Sequence, residues 1–195
     1  MSLFKRILFI LLIFVISVAI FFSIGTEVTK NLDTYIYDLP YAEGDSYKVV
    51  QGYGGRFSHT NEAALDFGMP VGTPIYAARE GIIYSYKDDS NEGGPFSKYN
   101  HKANYIIIKH NDGSFGCYWH LQQNGVVVKK GNVAKGQLVG YSGATGFVLR
   151  PHLHFSVKRK LNFEMSSYVR TKFRTDKGAE LLESGEFYKR PMNKK

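Results

Sequence analysis

The sequence predicts a mainly β protein with an antiparallel sheet at its core. Glycine is frequent, at 20 of 195 residues, and aromatic residues make up 15% of the chain, a composition that favours strands and tight turns. Apolar runs of strand length alternate with Gly, Pro, Asn and Asp, and no stretch shows sustained helical periodicity. The predicted strands lie within residues 63–67, 74–77, 81–86, 105–109, 114–120, 126–128, 138–141 and 153–157.

The segments between these runs add detail to the prediction. Asn111, Asp112 and Gly113 stand between two apolar runs and predict a tight hairpin. Residues 88–102 are rich in Gly, Ser, Asn and charge, which predicts an exposed loop. Residues 168–174 predict a further strand, whereas residues 178–184 are compatible with one helical turn that the sequence does not decide.

An apolar segment near the N-terminus predicts export from the cytoplasm. Residues 7–24 contain no charge, and 18 residues reach the lower limit for crossing a bilayer. Lys5 and Arg6 precede the segment, so the following chain is expected outside the membrane, facing the periplasm or cell wall. We favour an uncleaved signal anchor within residues 1–25, with a signal peptide cleaved after Gly25 as the alternative, which would give a secreted protein.

The remaining chain is expected to form one domain. Residues 26–46 are polar and predict a linker or a short first strand. The domain is expected over residues 47–190, including a basic C-terminal extension, and residues 191–195 form a tail. Cys117 is the single cysteine, so an internal disulfide is excluded and stability must come from the core and from any bound metal.

The net charge of +8 is concentrated near the C-terminus. Residues 158–195 contain 11 Lys and Arg against 5 Asp and Glu, so six of the eight net positive charges lie there. A solvated basic surface is the simpler interpretation, and contact with an anionic wall polymer or anionic lipid is the alternative. A nucleic-acid partner is not expected for an exported protein, and the sequence does not indicate an oligomeric state.

The most informative histidines are His152 and His154. In a strand they share one face, while Leu153 and Phe155 point to the other and suit a core. Such a face can present a metal ligand beside a proton-transfer partner. A His-x-His pair alone fits two surface histidines equally well.

His59 and Asp66 form a second candidate element. Asp66 shares its strand face with Ala64 and Gly68, which leaves room for an ion. His and Asp are suitable zinc ligands, and three protein ligands with one open position are typical of catalytic zinc sites. Taken alone, the two residues also fit a loop histidine and a surface carboxylate.

His120 is the third candidate. Strict alternation places Trp119 on one strand face and His120 on the other with Tyr118, so His120 is expected to face a groove while Trp119 packs beneath it. A strand-end histidine bonded to a backbone carbonyl is the alternative. His101, in the predicted loop, and His110, at the hairpin, are interpreted as structural or surface residues.

These elements together resemble a known family over residues 47–158. Several segments resemble, in their order and their residues, those of the lysostaphin-type (LytM-domain) zinc metallopeptidases. The segments that carry the resemblance are residues 64–81, 104–113, 118–121, 135–146 and 151–155.

The resemblance implies a fold, a site and an activity. Family members have an antiparallel β core with one zinc ion at the floor of a narrow groove, and they cleave peptide bonds in peptidoglycan stems or cross-bridges. By this resemblance His59, Asp66 and His154 are the zinc ligands, and His120 and His152 are catalytic residues that do not bind the metal. The chain has no HExxH sequence, so a histidine is expected to replace the usual glutamate base.

Two alternatives and three departures accompany this expectation. Some relatives have lost ligands and activate a separate cell-wall hydrolase, but all five residues are present here. A structural zinc site would be expected to have four ligands rich in cysteine. Six residues separate His59 from Asp66 where many members have three, Arg150 replaces a common Gly, and Ser156 replaces a frequent acidic residue. These departures concern substrate preference rather than the ligand set.

Overall fold

The computed structural model describes residues 32–192 together with Lys5, Arg6 and Phe9. The predicted signal anchor or signal peptide at residues 7–24 lies outside these residues apart from Phe9. Among the described residues no helix is both long and apolar enough to span a bilayer.

Residues 32–192 contain fifteen β-strands and two short 3₁₀ helices. The helices are Ser97–Lys102 and Met165–Ser167. The strands are β1 (Leu32–Asp38), β2 (Ser46–Gln51), β3 (Ala64–Gly68), β4 (Pro74–Tyr76), β5 (Gly81–Lys87), β6 (Gly93–Gly94), β7 (Asn104–Lys109), β8 (Phe115–Val126), β9 (Asn132–Val133), β10 (Leu138–Ser142), β11 (Gly146–Phe147), β12 (His152–Lys158), β13 (Tyr168–Thr175), β14 (Gly178–Glu180) and β15 (Phe187–Lys189).

The main sheet is antiparallel along its length, which confirms the predicted fold class. Its strand order is β15-β2-β3-β12-β8-β7-β5-β9, and every neighbouring pair on this path is antiparallel. Strand β12 lies at the centre between β3 and β8. Parallel pairing occurs between β1 and β13 and between the two-residue strands β6 and β11.

Alternating side chains build the core beneath β12. Leu153, Phe155 and Val157 are almost fully buried in a cluster that includes Phe67 of β3 and Tyr118 of β8. The rings of Tyr118 and Phe155 meet edge to face with centroids 5.0 Å apart. Because these residues fix one face of β12 in the core, the alternate residues of β12 line the opposite face.

The segments at both ends of the described chain belong to the domain. Within residues 26–46, expected to be a linker or a short first strand, β1 is a strand that pairs with β13. Tyr37 of β1 is fully buried and contacts the ring of Phe173 in β13. The predicted strand at residues 168–174 is therefore present, and residues 178–180 form strand β14 rather than a helical turn.

Candidate metal centre and active-site groove

The pairing of β3 with β12 brings two of the predicted ligands together. Asp66 and His154 are direct partners in this antiparallel ladder, so their side chains lie on the same face of the sheet. His59 comes from the loop between β2 and β3, where its backbone N–H donates to the Gly55 carbonyl. The structure thus combines a rigid strand pair with one residue from a loop.

Three potential ligand atoms form a nearly equilateral triangle. His154 Nδ1 lies 3.0 Å from Asp66 Oδ1, His59 Nε2 lies 3.1 Å from His154 Nδ1, and His59 Nε2 lies 3.2 Å from Asp66 Oδ1. Ligand atoms about 2.0–2.1 Å from a tetrahedral zinc ion are about 3.3 Å apart. The edges of the triangle are therefore close to the spacing that zinc requires of three of its four ligands.

The second nitrogen or oxygen atom of each of these side chains contacts another group and leaves the triangle atom available to a metal. His59 Nδ1 donates to the Gly52 carbonyl at 3.1 Å, which leaves the Nε2 lone pair for a metal. His154 Nε2 lies 3.6 Å from Glu62 Oε2 and faces away from the triangle. Asp66 Oδ2 accepts a hydrogen bond of 3.3 Å from Gln51 Nε2. The donor set of two imidazoles and one carboxylate suits zinc.

The site is buried, and its charges depend on one another. His59 is fully buried and Asp66 is 6% exposed. Burial alone would raise the pKa of the Asp66 carboxyl, but the adjacent imidazole rings of His154 and His59 outweigh burial and hold this pKa well below its usual range. Asp66 is therefore ionised throughout the neutral range, as a metal ligand must be.

His120 and His152 face each other beside the triangle. Their ring centroids are 4.7 Å apart, and His152 Nε2 is 3.6 Å from Asp66 Oδ1. His120 Nδ1 donates to the Thr145 carbonyl at 2.7 Å, and His152 Nδ1 donates to the Arg150 carbonyl at 2.8 Å. Because both Nδ1 atoms hold a proton, each neutral ring presents an Nε2 atom that can accept one.

Both of these histidines are held neutral by their surroundings. Burial, followed by the neighbouring His152 and His154, lowers the pKa of His120 to about 3. Burial also lowers the pKa of His152, although the Asp66 carboxylate opposes that shift. Both rings are therefore uncharged at neutral pH, and each has a lone pair at Nε2.

His120 lines the groove as expected, but the expectation that Trp119 packs beneath it is wrong. Tyr118 is buried in the core, where its hydroxyl accepts a hydrogen bond from the Ala78 N–H, whereas Trp119 and His120 both line the groove. His120 has a φ angle of +66°, in the left-handed region that non-glycine residues seldom adopt. This conformation interrupts the alternation and turns His120 to the same side as Trp119.

A groove of about 840 Å³ opens above these residues. Its lining includes Phe57 and Ser58 from the loop that carries His59, and Phe147 and Arg150 from the β11–β12 segment. The rings of Phe57 and Phe147 are stacked, with centroids 6.2 Å apart and planes at 12°. The groove is therefore narrow above the candidate site and is lined by the exposed face of β12.

The remaining histidines lie elsewhere. His110 is 2% exposed, and its Nδ1 donates to the Glu80 carbonyl at 2.7 Å, which agrees with a structural role. His101 is exposed in the 3₁₀ helix Ser97–Lys102. Gln51 and Glu62 contact the candidate ligands but were not predicted, because their contacts depend on the β2–β3 register and on the loop after His59.

Comparisons with known proteins assign the chain to a family. The family model described as Peptidase family M23 matches residues 60–166, which is more than half of the chain. The peptidoglycan DD-endopeptidase ShyA of Vibrio cholerae is 34% identical over 178 residues, covering 76% of this chain and 38% of that protein. The glycyl-glycine endopeptidase ALE-1 of Staphylococcus capitis is 36% identical over 115 residues, covering 57% of this chain and 29% of that protein.

Among solved structures, lysostaphin from Staphylococcus simulans matches with a TM-score of 0.48 and 31% identity, covering 66% of this chain and 49% of that one. The match to this chain covers well under half the length of the curated relatives ShyA and ALE-1. The family match nevertheless covers the strands that carry Asp66, His120, His152 and His154. The chain therefore belongs to peptidase family M23, which confirms the resemblance predicted from its sequence.

Proposed function

We propose that the chain is a zinc endopeptidase that hydrolyses peptide bonds in peptidoglycan stems or cross-bridges. The observation that supports this most directly is the triangle of His59 Nε2, Asp66 Oδ1 and His154 Nδ1, with edges of 3.0–3.2 Å. Family membership and the endopeptidase names of ShyA and ALE-1 support the reaction class. One zinc ion per chain is proposed, held by these three residues.

When bound, zinc polarises the scissile carbonyl and lowers the pKa of a coordinated water molecule toward neutrality. The proposed ligand arrangement leaves one tetrahedral position open for this chemistry. Gln51 fixes the Asp66 carboxylate through its second oxygen, and the Gly52 carbonyl fixes the His59 ring. Such contacts from outside the ligand set orient the ligands before any substrate arrives.

His120 and His152 are proposed to move protons during the reaction. Each ring is oriented by a backbone carbonyl at Nδ1, so each Nε2 atom can accept a proton near the reacting groups. The histidine that accepts a proton from the attacking water at Nε2 would pass that proton to the leaving amine, and the second histidine, when protonated at Nε2, would donate to the developing oxyanion. Both rings bond a backbone carbonyl through Nδ1, and this shared feature does not assign the two roles.

The shape of the groove supports an extended peptide as the substrate. Its floor is the exposed face of β12, and the stacked rings of Phe57 and Phe147 narrow the space above. A narrow groove over a strand accommodates an extended chain better than a folded protein surface. This fits the peptides of the bacterial cell wall, which are short and exposed.

The decisive experiment is digestion of purified peptidoglycan by the purified chain, with mass analysis of the released peptides. Zinc-loaded protein should release peptides cleaved at one type of bond, and protein stripped by a chelator should release none until zinc is restored. An Asp66→Asn variant should be inactive, whereas the exposed Asp176→Asn control should retain activity. Intact peptidoglycan after treatment with zinc-loaded protein would instead favour the non-catalytic regulatory module.

We also propose that residues 1–25 anchor the protein in the cytoplasmic membrane, with the domain of residues 47–190 outside. The 18-residue apolar segment behind Lys5 and Arg6 supports this topology. The basic C-terminal extension would then face the anionic polymers of the wall. Protease added to cells stripped of their outer layers should degrade the domain, and protection of the domain would contradict the topology.

A further inference from the structure

The groove continues along β12 beyond the candidate metal centre. His154, Ser156 and Lys158 alternate along the strand and share its groove face, and all three line the groove. Phe163 and Tyr168 line the groove beside Lys158. A strand rises about 3.3 Å per residue, so Ser156 and Lys158 lie roughly 7 and 13 Å from His154 along the strand.

Ser156 places an unused hydroxyl in this part of the groove. The residue is 2% exposed, and its buried Oγ atom has the Cys117 thiol, a weak acceptor, as a neighbour but no oxygen or nitrogen partner among the described residues. Buried polar groups in native proteins are nearly always hydrogen-bonded, so a hydroxyl without a partner in a groove indicates a missing ligand. Its strand neighbours Ala64 and Cys117 offer no charge to it.

Lys158 places unused N–H donors beside this hydroxyl. The residue is 5% exposed, and its ammonium lies 4.1 Å from the ring centre of Tyr168 and 4.7 Å from that of Phe163. One of its three N–H groups donates to the Asn162 carbonyl at 3.0 Å. Within residues 32–192 Lys158 forms no ion pair, although buried lysines are usually paired with an acidic group.

The two aromatic rings hold the ammonium group in place without neutralising it. Cation–π contacts stabilise a partly desolvated lysine but leave its charge unchanged. Glu62 also lies near this end of the groove, but its Oε2 atom faces His154 Nε2 at 3.6 Å. The charge of Glu62 offsets part of the effect of burial on Lys158, but no carboxylate of residues 32–192 forms an ion pair with the Lys158 ammonium.

We propose that Lys158 and Ser156 form a carboxylate-binding subsite for the substrate peptide. The subsite rests on the proposed peptidase function and lies at the Tyr168 end of the groove. An extended peptide with its scissile bond at His154 would place a carboxylate within about four residues of that bond near Lys158. Peptide substrates with a free carboxylate at this distance are then preferred over the corresponding amides.

The test compares two forms of one substrate. A synthetic cross-linked stem-peptide dimer is made with all carboxylates free and with each carboxylate amidated in turn, and kcat/KM is measured with the zinc-loaded full chain. For one amidated position we expect kcat/KM to fall about 10- to 100-fold, mainly through KM, since charge-assisted hydrogen bonds are lost. In Lys158→Met the ratio of kcat/KM for the free form to kcat/KM for the amidated form should approach one.

Three further variants make the result specific. Lys158→Arg keeps the charge and should restore most of the preference for the free carboxylate, and Ser156→Ala should lower it by a smaller factor. Lys160→Met, which removes an exposed lysine two residues away, should leave the preference unchanged. Thermal unfolding and zinc content of each variant show whether the fold and the metal centre are intact.

Separate outcomes distinguish the subsite from the peptidase function. If Lys158→Met loses activity equally on both forms while its fold and zinc content are intact, or if it keeps the wild-type ratio, the subsite is wrong. If the wild-type chain cleaves neither form, binding of the two forms is compared by calorimetry. Tighter binding of the free form that depends on Lys158 would support the subsite and contradict the peptidase function, and equal binding would contradict the subsite.

Discussion

His154 and Asp66 are direct partners across the β12–β3 ladder, and their side chains meet with His154 Nδ1 3.0 Å from Asp66 Oδ1. The backbone register of two central strands therefore fixes two of the three proposed ligands. His59 extends to the same point from a loop, and its ring is oriented by a hydrogen bond to the Gly52 carbonyl. The proposed metal centre thus consists of Asp66 and His154 on two paired strands and His59 on a loop.

Removal of either member of this pair should abolish zinc binding. In Asp66→Ala and His154→Ala two ligands remain, which is too few for a stable site in a protein that needs three. Elemental analysis should find about one zinc ion per wild-type chain and much less in both variants, with Asp176→Ala as the exposed control. Full occupancy in both variants would show that the metal is bound elsewhere.

Glu62 is expected to act as a positioning residue for His154. Its Oε2 atom lies 3.6 Å from His154 Nε2, on the side of the ring opposite the proposed metal position. A carboxylate at this place fixes the imidazole and strengthens it as a ligand, and the loss of such a partner typically lowers metal affinity about 10- to 100-fold. Glu62→Gln should therefore weaken zinc binding in competition with a chelator.

Two controls make this prediction specific to the contact. Glu164→Gln removes an exposed carboxylate and should bind zinc like the wild type. Glu62→Asp keeps the charge and should recover part of the affinity. Equal zinc affinity in the wild type and in Glu62→Gln would mean that the carboxylate does not support the ligand.

The alternation of side chains explains which parts of the site could be predicted from the sequence. The groove-facing positions of His152 and His154 follow from the apolar residues between and after them, which occupy the core. The pairing of His154 with Asp66 could not be derived in this way, because a local pattern does not specify which distant strand becomes the neighbour. Only the family resemblance placed the two residues together.

The position of His120 shows where local rules fail. Alternation places His120 opposite Trp119, but the φ angle of +66° at His120 turns both side chains into the groove. A left-handed residue other than glycine is uncommon and leaves no clear signal in the sequence. The hydrogen bond from His120 Nδ1 to the Thr145 carbonyl stabilises this conformation.

His110 should make the folded protein less stable in mild acid. Burial lowers the pKa of His110 below its ordinary value, although the Glu80 carbonyl opposes the shift. The unfolded chain therefore binds a proton near pH 6.5 while the folded chain does not. The contribution of neutral His110 to the free energy of unfolding is fully present above about pH 6.5. As the pH falls from there toward the pKa of His110 in the folded state, the free energy of unfolding decreases by up to about 1.4 kcal/mol per pH unit.

Unfolding by urea between pH 5 and pH 7.5 tests this dependence. His110→Gln should show a smaller decrease of unfolding free energy below pH 6.5 than the wild type, because one group with a lowered pKa is absent. His101→Gln, which changes an exposed histidine, should keep the wild-type slope. An identical slope in His110→Gln would show that His110 is not held neutral in the folded state.

The last prediction separates proton transfer from metal binding at His120 and His152. Neither residue belongs to the triangle of His59, Asp66 and His154, so replacing either by Ala should leave zinc content nearly unchanged. Loss of a general acid or base lowers a rate by about 10²–10⁴, and loss of an oxyanion donor by about 10²–10³. Both variants should therefore bind zinc and be nearly inactive on peptidoglycan.

The double variant provides the sharper comparison. The proposed mechanism assigns His120 and His152 to the same step, and their rings are 4.7 Å apart, so His120→Ala with His152→Ala should be little slower than the slower single variant. His101→Ala serves as the exposed control and should keep the wild-type rate. Loss of zinc in His152→Ala would identify His152 rather than His154 as the ligand. Full hydrolysis by both single variants with zinc bound would leave the metal centre in place but exclude these two histidines from proton transfer.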